Sequence, residues 1–231
     1  MLERALPLYS SMPRELRERL EPHIQAFLFD IEFVGCNGLE ITDEIRVTIA
    51  AQACLLTLSH DPSVYSSLHS VLVYPEEFVV EEQEVDDAGV VSEGSRALSG
   101  QTLDTAAIVL SWSDVLESRR SEEPYNVVLH EFAHYLDHSV DGALTRLDSR
   151  HRALESWHAI IQREYDALCD AVERDEPTLI DPYGAEDPAE FFAVATETFF
   201  EAPLDMRELH PQLYEELKGF YGLDPAAWLA A

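Results

Sequence analysis

Apolar positions in residues 13–28, PRELRERLEPHIQAFL, recur at the three- and four-residue spacing of one helical face. Gly35, Asn37 and Gly38 then mark a turn. In the next segment, ITDEIRVTIAAQACLLTLS, Thr42 and Asp43 are helix-start signals ahead of a long apolar helical stretch from Ile45 to Leu58. Two β-branched runs bounded by turn residues, SVLVYP (70–75) and AAIVLSW (106–112), predict strands. The acidic, glycine-containing stretch between them, from about 76 to 96, reads as a surface loop or irregular hairpin. Helical spacing dominates the second half, over roughly 124–138, 148–174, 187–201 and 205–219. Neither an internal repeat nor a low-complexity linker interrupts the chain. The pattern predicts one α+β domain over 1–231, with helices and strands in about 1–120 and helices in about 121–231.

Composition adds to this picture. A hydrophobic fraction of 46% with 10% aromatics, in 231 residues, is enough to bury a core. No apolar run approaches the roughly 20 residues that a membrane helix needs. The first residues, MLERALPLYS, lack the apolar core of a signal peptide. Cys36, Cys54 and Cys169 are odd in number and far apart, which predicts buried thiols in a reducing compartment. A soluble, cytoplasmic protein is the expectation.

The formal net charge is −30, and Lys218 is the only lysine. Phosphate backbones are repelled by such a surface, so nucleic acid is not an expected partner. Solubility, as in a high-salt host, is the first reading of the acidity, ahead of attraction for basic partners.

Chemistry enters at residues 127–138, VVLHEFAHYLDH. The segment HEFAH (130–134) fits H-E-x-x-H. On a helix, His130 and His134 face the same way with Cβ atoms about 5–6 Å apart. Both imidazoles then reach one zinc ion at about 2.0–2.1 Å. Glu131, rotated about 100° from His130, flanks the ion and is placed to take a proton from water. Val127, Val128, Leu129, Phe132, Ala133 and Leu136 make the rest of the helix apolar, so the histidines border a buried face and need partners.

A catalytic zinc needs a third protein ligand and an open position. His138 is about 12 Å along the axis from His130 and about 80° around it, and reads as a helix C-terminal residue. Asp137 reads as a solvated helix end, with orientation of an imidazole as the rival role. The segment DPAEFFAVATETFFEAP (187–203) offers Glu190 and Glu197, two turns apart on one face. Asp187 as N-cap, Pro188 at N1 and Glu190 at N3 also fit a capping box. Spacing therefore leaves both glutamates open. The segment D-P-Y-G around Tyr183 reads as a turn. AAIVLSW reads equally as a core strand or as a sheet edge that pairs with an extended substrate.

GLEITDEIRVTIAAQACLL (38–56), SVLVYPEEF (70–78), IVLSWSDV (108–115), NVVLHEFAHYLD (126–137) and DPAEFFAVATETFFEAP (187–203) together resemble the Mlc titration factor A family of zinc peptidases. The resemblance implies a zincin-like fold, mainly helical with a small sheet beside the HExxH helix, and a catalytic core similar to that of the anthrax lethal factor protease. It implies one Zn2+ per chain held by His130, His134 and Glu190, the gluzincin arrangement. It implies Tyr183, seven residues before Glu190, as a stabiliser of the transition state, and Glu131 as the base. Peptides or proteins are then the substrates, hydrolysed by an activated water. The family is also associated with binding a glucose-responsive transcriptional repressor, and a regulatory protein that sequesters such a partner is the alternative reading.

Overall fold

The computed structural model describes the backbone of residues 1–76, 78–85, 91–98, 100–103, 106–121, 123–147 and 152–230. Side chains are described outside 62, 77–105, 122, 138–156 and 231. A short α1 (Leu2–Ala5) leads into α2 (Arg14–Asp30), which buries Leu20, Ile24 and Phe27 along one face. The strand β1 (Glu32–Gly35) follows, and then the expected turn, with Asn37 and Gly38 at φ 49° and 82°. Gly35 has a steric reason to be glycine: a Cβ there would fall 1.9 Å from the Leu39 carbonyl oxygen. The next helix, α3 (Asp43–Leu56), starts where Thr42 Oγ1 accepts the Ile45 N–H at 3.3 Å, and is buried throughout its last nine residues.

β2 (Ser70–Tyr74) is the first of the two expected strands. The stretch after it forms a two-stranded antiparallel hairpin of β3 (Phe78–Val85) and β4 (Val91–Leu98). Its exposure, part of the sequence expectation, lies outside the described residues. β5 (Gly100–Leu103) and β6 (Ala107–Ser111) complete a sheet of order β1-β2-β6-β5. The first three of these are parallel and β5 is antiparallel to β6. This corrects the reading of residues 106–112 as a possible substrate-pairing edge. β6 lies inside the sheet, with Ile108, Val109 and Leu110 buried, because β5 covers its other side. The outer strands are β1 and β5.

The short α4 (Trp112–Ser118) is capped by Ser111 and leads to α5 (Val127–Leu147). α5 continues past 138, where the sequence pattern placed its end. α6 (Arg152–Glu173) follows, then a 3-10 turn at Pro182–Ala185, and α7 (Pro188–Glu201). The expected helix at 205–219 is two helices, α8 (Pro203–Leu209) and α9 (Pro211–Tyr221), before a final α10 (Pro225–Leu229). The reason is Pro211, which has no N–H to donate and pushes His210 out of the helical region, to φ −127° and ψ 55°.

One buried cluster runs from Ala5 to Trp228 and joins the sheet to the helices. On α5, Phe132 and Tyr135 pack against Tyr65, with ring centroids 5.5 Å apart in each pair. On α7, Phe199 and Phe200 pack against Tyr221 at 5.7 and 5.2 Å. Each helix thus anchors an apolar face in the core and turns a polar face toward the other. Cys54 is buried, Cys36 and Cys169 are half-buried, and all three are free. Among the described residues, no helix is long and apolar enough to cross a membrane.

Candidate metal centre

Asn126 starts α5: its Oδ1 accepts the Leu129 N–H at 3.1 Å and its carbonyl accepts the His130 N–H at 3.0 Å. One turn in, His130 and His134 set their rings edge to face, with centroids 4.7 Å apart. Their Nε2 atoms are 3.1 Å apart. The third member comes from the first turn of α7. Glu190 Oε2 is 3.1 Å from His130 Nε2 and 3.3 Å from His134 Nε2. Three ligand atoms at tetrahedral positions about 2.0–2.1 Å from a zinc ion would be about 3.3–3.4 Å from one another. Two imidazole nitrogens and a carboxylate oxygen in this near-equilateral triangle fit such an ion. Among the described residues, His130, His134 and Glu190 are the group able to hold a metal.

The helix cap and the carboxylate of Glu190 are compatible, because they use different atoms. Asp187 Oδ1 accepts the backbone N–H groups of Ala189 and Glu190, while the Glu190 side chain turns to the histidines. Glu197, the rival from spacing, sits on the far side of the same imidazole. Its Oε1 accepts from His130 Nδ1 at 2.7 Å, and its Oε2 accepts the Asn126 N–H. Glu197 and Glu190 thus stand at opposite nitrogens of the His130 ring. Asp137 is exposed, and its charge bears on the buried Tyr221 hydroxyl. The side chain of His138 lies outside the described residues.

Electrostatics separate the carboxylates. Burial alone would lower the His130 pKa, but hydrogen bonds to Glu190 and Glu197 outweigh it and hold it at about 10. Burial likewise pushes Glu190 up, and the two histidines overcome it, keeping this carboxyl well below the usual range. Glu131 is only 5% exposed; burial raises its pKa to about 7, with the nearby imidazoles pulling the other way. Burial also raises Glu197.

Tyr183 sits in the 3-10 turn, where Asp181 Oδ1 accepts its N–H at 2.8 Å. The turn expected from D-P-Y-G is therefore present, and its aromatic ring faces the site, 6.1 Å from the His130 ring and 43% exposed. Gly184 lets the turn lie close to α6 and α7: a Cβ would fall 3.2 Å from Leu168 Cδ2 and 3.4 Å from Phe191 Cα. Sequence reasoning missed the part played by Asn126. Its signal was a cap-forming residue four positions before His130.

The chain matches the family model described as glucose-regulated metallo-peptidase M90 over residues 1–222. An uncharacterized protein of Synechocystis is 41% identical over 224 residues, which cover 95% of this chain and 81% of that protein. Mlc titration factor A of Pectobacterium atrosepticum is 34% identical, over 97% of this chain and 86% of its own length. The protein of the same name from Serratia proteamaculans is 32% identical, over 97% and 87%. Since the match runs through the sheet and through both helices that meet at the histidines, the chain belongs to the glucose-regulated M90 family of metallopeptidases.

Proposed function

We propose that this protein is a zinc-dependent metallopeptidase, working as one domain, whose ion is held by His130, His134 and Glu190. The observation that carries the reading is the triangle of two nitrogens and one oxygen, 3.1 to 3.3 Å on its sides. Bound there, zinc would supply Lewis acidity, easing the deprotonation of water toward neutral pH and polarising a peptide carbonyl.

The rest is work for the protein's own groups. Glu131 takes the proton of the attacking water and passes it to the departing amine nitrogen. Burial raises the pKa of this carboxyl, which favours its taking up and holding a proton. Tyr183 offers its phenol O–H to the carbonyl oxygen as negative charge develops there. The exposed ring beside His130 supports that role, since it can meet a substrate arriving from solvent. The free thiols support a reducing, cytoplasmic setting.

The deciding experiment is Glu131→Gln. The variant should keep one zinc per chain and lose peptide hydrolysis; retained turnover would remove Glu131 as the base.

A second reading comes from the relatives whose name ties them to Mlc. It makes this chain a binding protein that sequesters a transcriptional repressor. The buried Glu131 beside the histidines favours the peptidase, because a pure binder has no use for a base. Binding of a repressor by Glu131→Gln, without cleavage by the wild type, would favour the second reading instead.

A further inference from the structure

Helices α5 and α7 meet along two matched polar stripes. Asn126, His130 and His134 follow one another every four residues on α5. Opposite them, in reverse order, stand Glu201, Glu197 and Glu190 on α7. The Asn126 amide Nδ2 donates to Glu201 Oε1 at 2.7 Å. The Asn126 N–H and the His130 ring both donate to Glu197, and Glu190 meets both imidazoles. Glu197 is the middle rung and is 2% exposed.

We infer that Glu197 is a positioning residue for this site, fixing the Nδ1–H tautomer of His130 and tying that ring to the first turn of α5. The inference rests on the zinc reading above. A carboxylate only accepts, so the ring nitrogen that faces Glu197 must carry the proton. In the neutral ring that would bind an ion, the lone pair is then on Nε2, which is the atom aimed at Glu190 and His134. The other Glu197 oxygen is occupied by the Asn126 N–H, so the carboxylate is bound at both ends and cannot swing away. Because Glu190 and Glu197 share one helix, the contact that orients the imidazole also sets the distance of the third ligand. A shift of α7 along α5 would disturb both together.

Glutamine at 197 has nearly the same shape but one donor in place of an acceptor. Turned one way, its NH2 faces the Asn126 N–H, and two donors oppose each other. Turned the other way, it faces His130 and favours the tautomer with the proton on Nε2, which blocks that lone pair. Zinc affinity of Glu197→Gln, measured by competition with a chromophoric chelator, should fall by about 10–100-fold while circular dichroism stays unchanged. The 15N-coupled spectrum of the zinc-loaded wild type should show a slowly exchanging His130 Nδ1–H, absent from the variant. Affinity within about threefold of wild type in a folded variant would overturn the inference. Should the variant not fold, the wild-type spectrum decides: an Nδ1–H in free exchange with water would overturn it. A wild type that takes up no zinc would overturn the metal reading itself, and this inference with it.

Discussion

Asp187 and Glu190 are joined through the backbone: Asp187 Oδ1 accepts the Glu190 N–H at 3.0 Å, and the Glu190 carboxylate is turned the other way, toward the histidines. The cap thus sets the first turn of α7 and with it the position of a candidate ligand. Asp187→Ala should lower stability by about 0.5–2 kcal/mol, read from urea unfolding. It should also weaken zinc binding by loosening the turn. Asp187→Asn retains an accepting oxygen and should restore most of both. Full zinc affinity in a destabilised Asp187→Ala would separate the cap from the site.

Metal removal should abolish hydrolysis without unfolding the chain. The buried cluster from Ala5 to Trp228 includes none of the three candidate ligands, and the histidines have carboxylate partners even without an ion. A ligand that binds only the native state adds stability by mass action, about 2.7 kcal/mol at a hundred times its Kd. Chelation should therefore lower the melting temperature while far-ultraviolet circular dichroism is kept, and added zinc should restore both stability and turnover. A melting temperature indifferent to zinc would argue against a site on α5 and α7.

The chemistry was more legible in the sequence than the geometry that supports it. HEFAH places His130 and His134 on one face by local spacing alone, and α5 keeps that spacing. Glu190 and Glu197 could not be separated in this way, since both lie on the inner face of α7. Only the register of α7 against α5 sends one to Nε2 and the other to Nδ1 of the same ring. Strands β2 and β6 are visible as β-branched runs, whereas β1 and β5 have four residues each and too little pattern to be seen. For the same reason, β6 was open to being read as an edge: its covering strand was invisible. The break between α8 and α9 had a signal in Pro211, which the apolar spacing on both sides of it masked.

Tyr183→Phe removes one O–H and keeps the ring against His130. If the phenol donates to the developing oxyanion, kcat should fall by about 10²–10³ while substrate binding is nearly unchanged. Steady-state kinetics with binding measured separately on the Glu131→Gln background checks this. A loss confined to binding would make Tyr183 a substrate contact only.

Acid should unfold this protein partly through Glu164. The hydrogen bond from His210, at 2.8 Å, is the main reason its carboxyl is held below the ordinary value of 4.5, with Arg163 adding to the effect against burial. A depressed carboxyl pKa contributes stability above the unfolded value and loses it as pH falls toward the folded one. The contribution is thus complete at pH 7 and declines below about pH 4.5. Glu164→Gln should be less stable than wild type near neutrality, and its stability should fall less steeply below about pH 4.5. Chemical denaturation across that range reads both effects. Parallel acid limbs for the two proteins would show that the link between α6 and His210, at the start of α9, contributes nothing to acid unfolding.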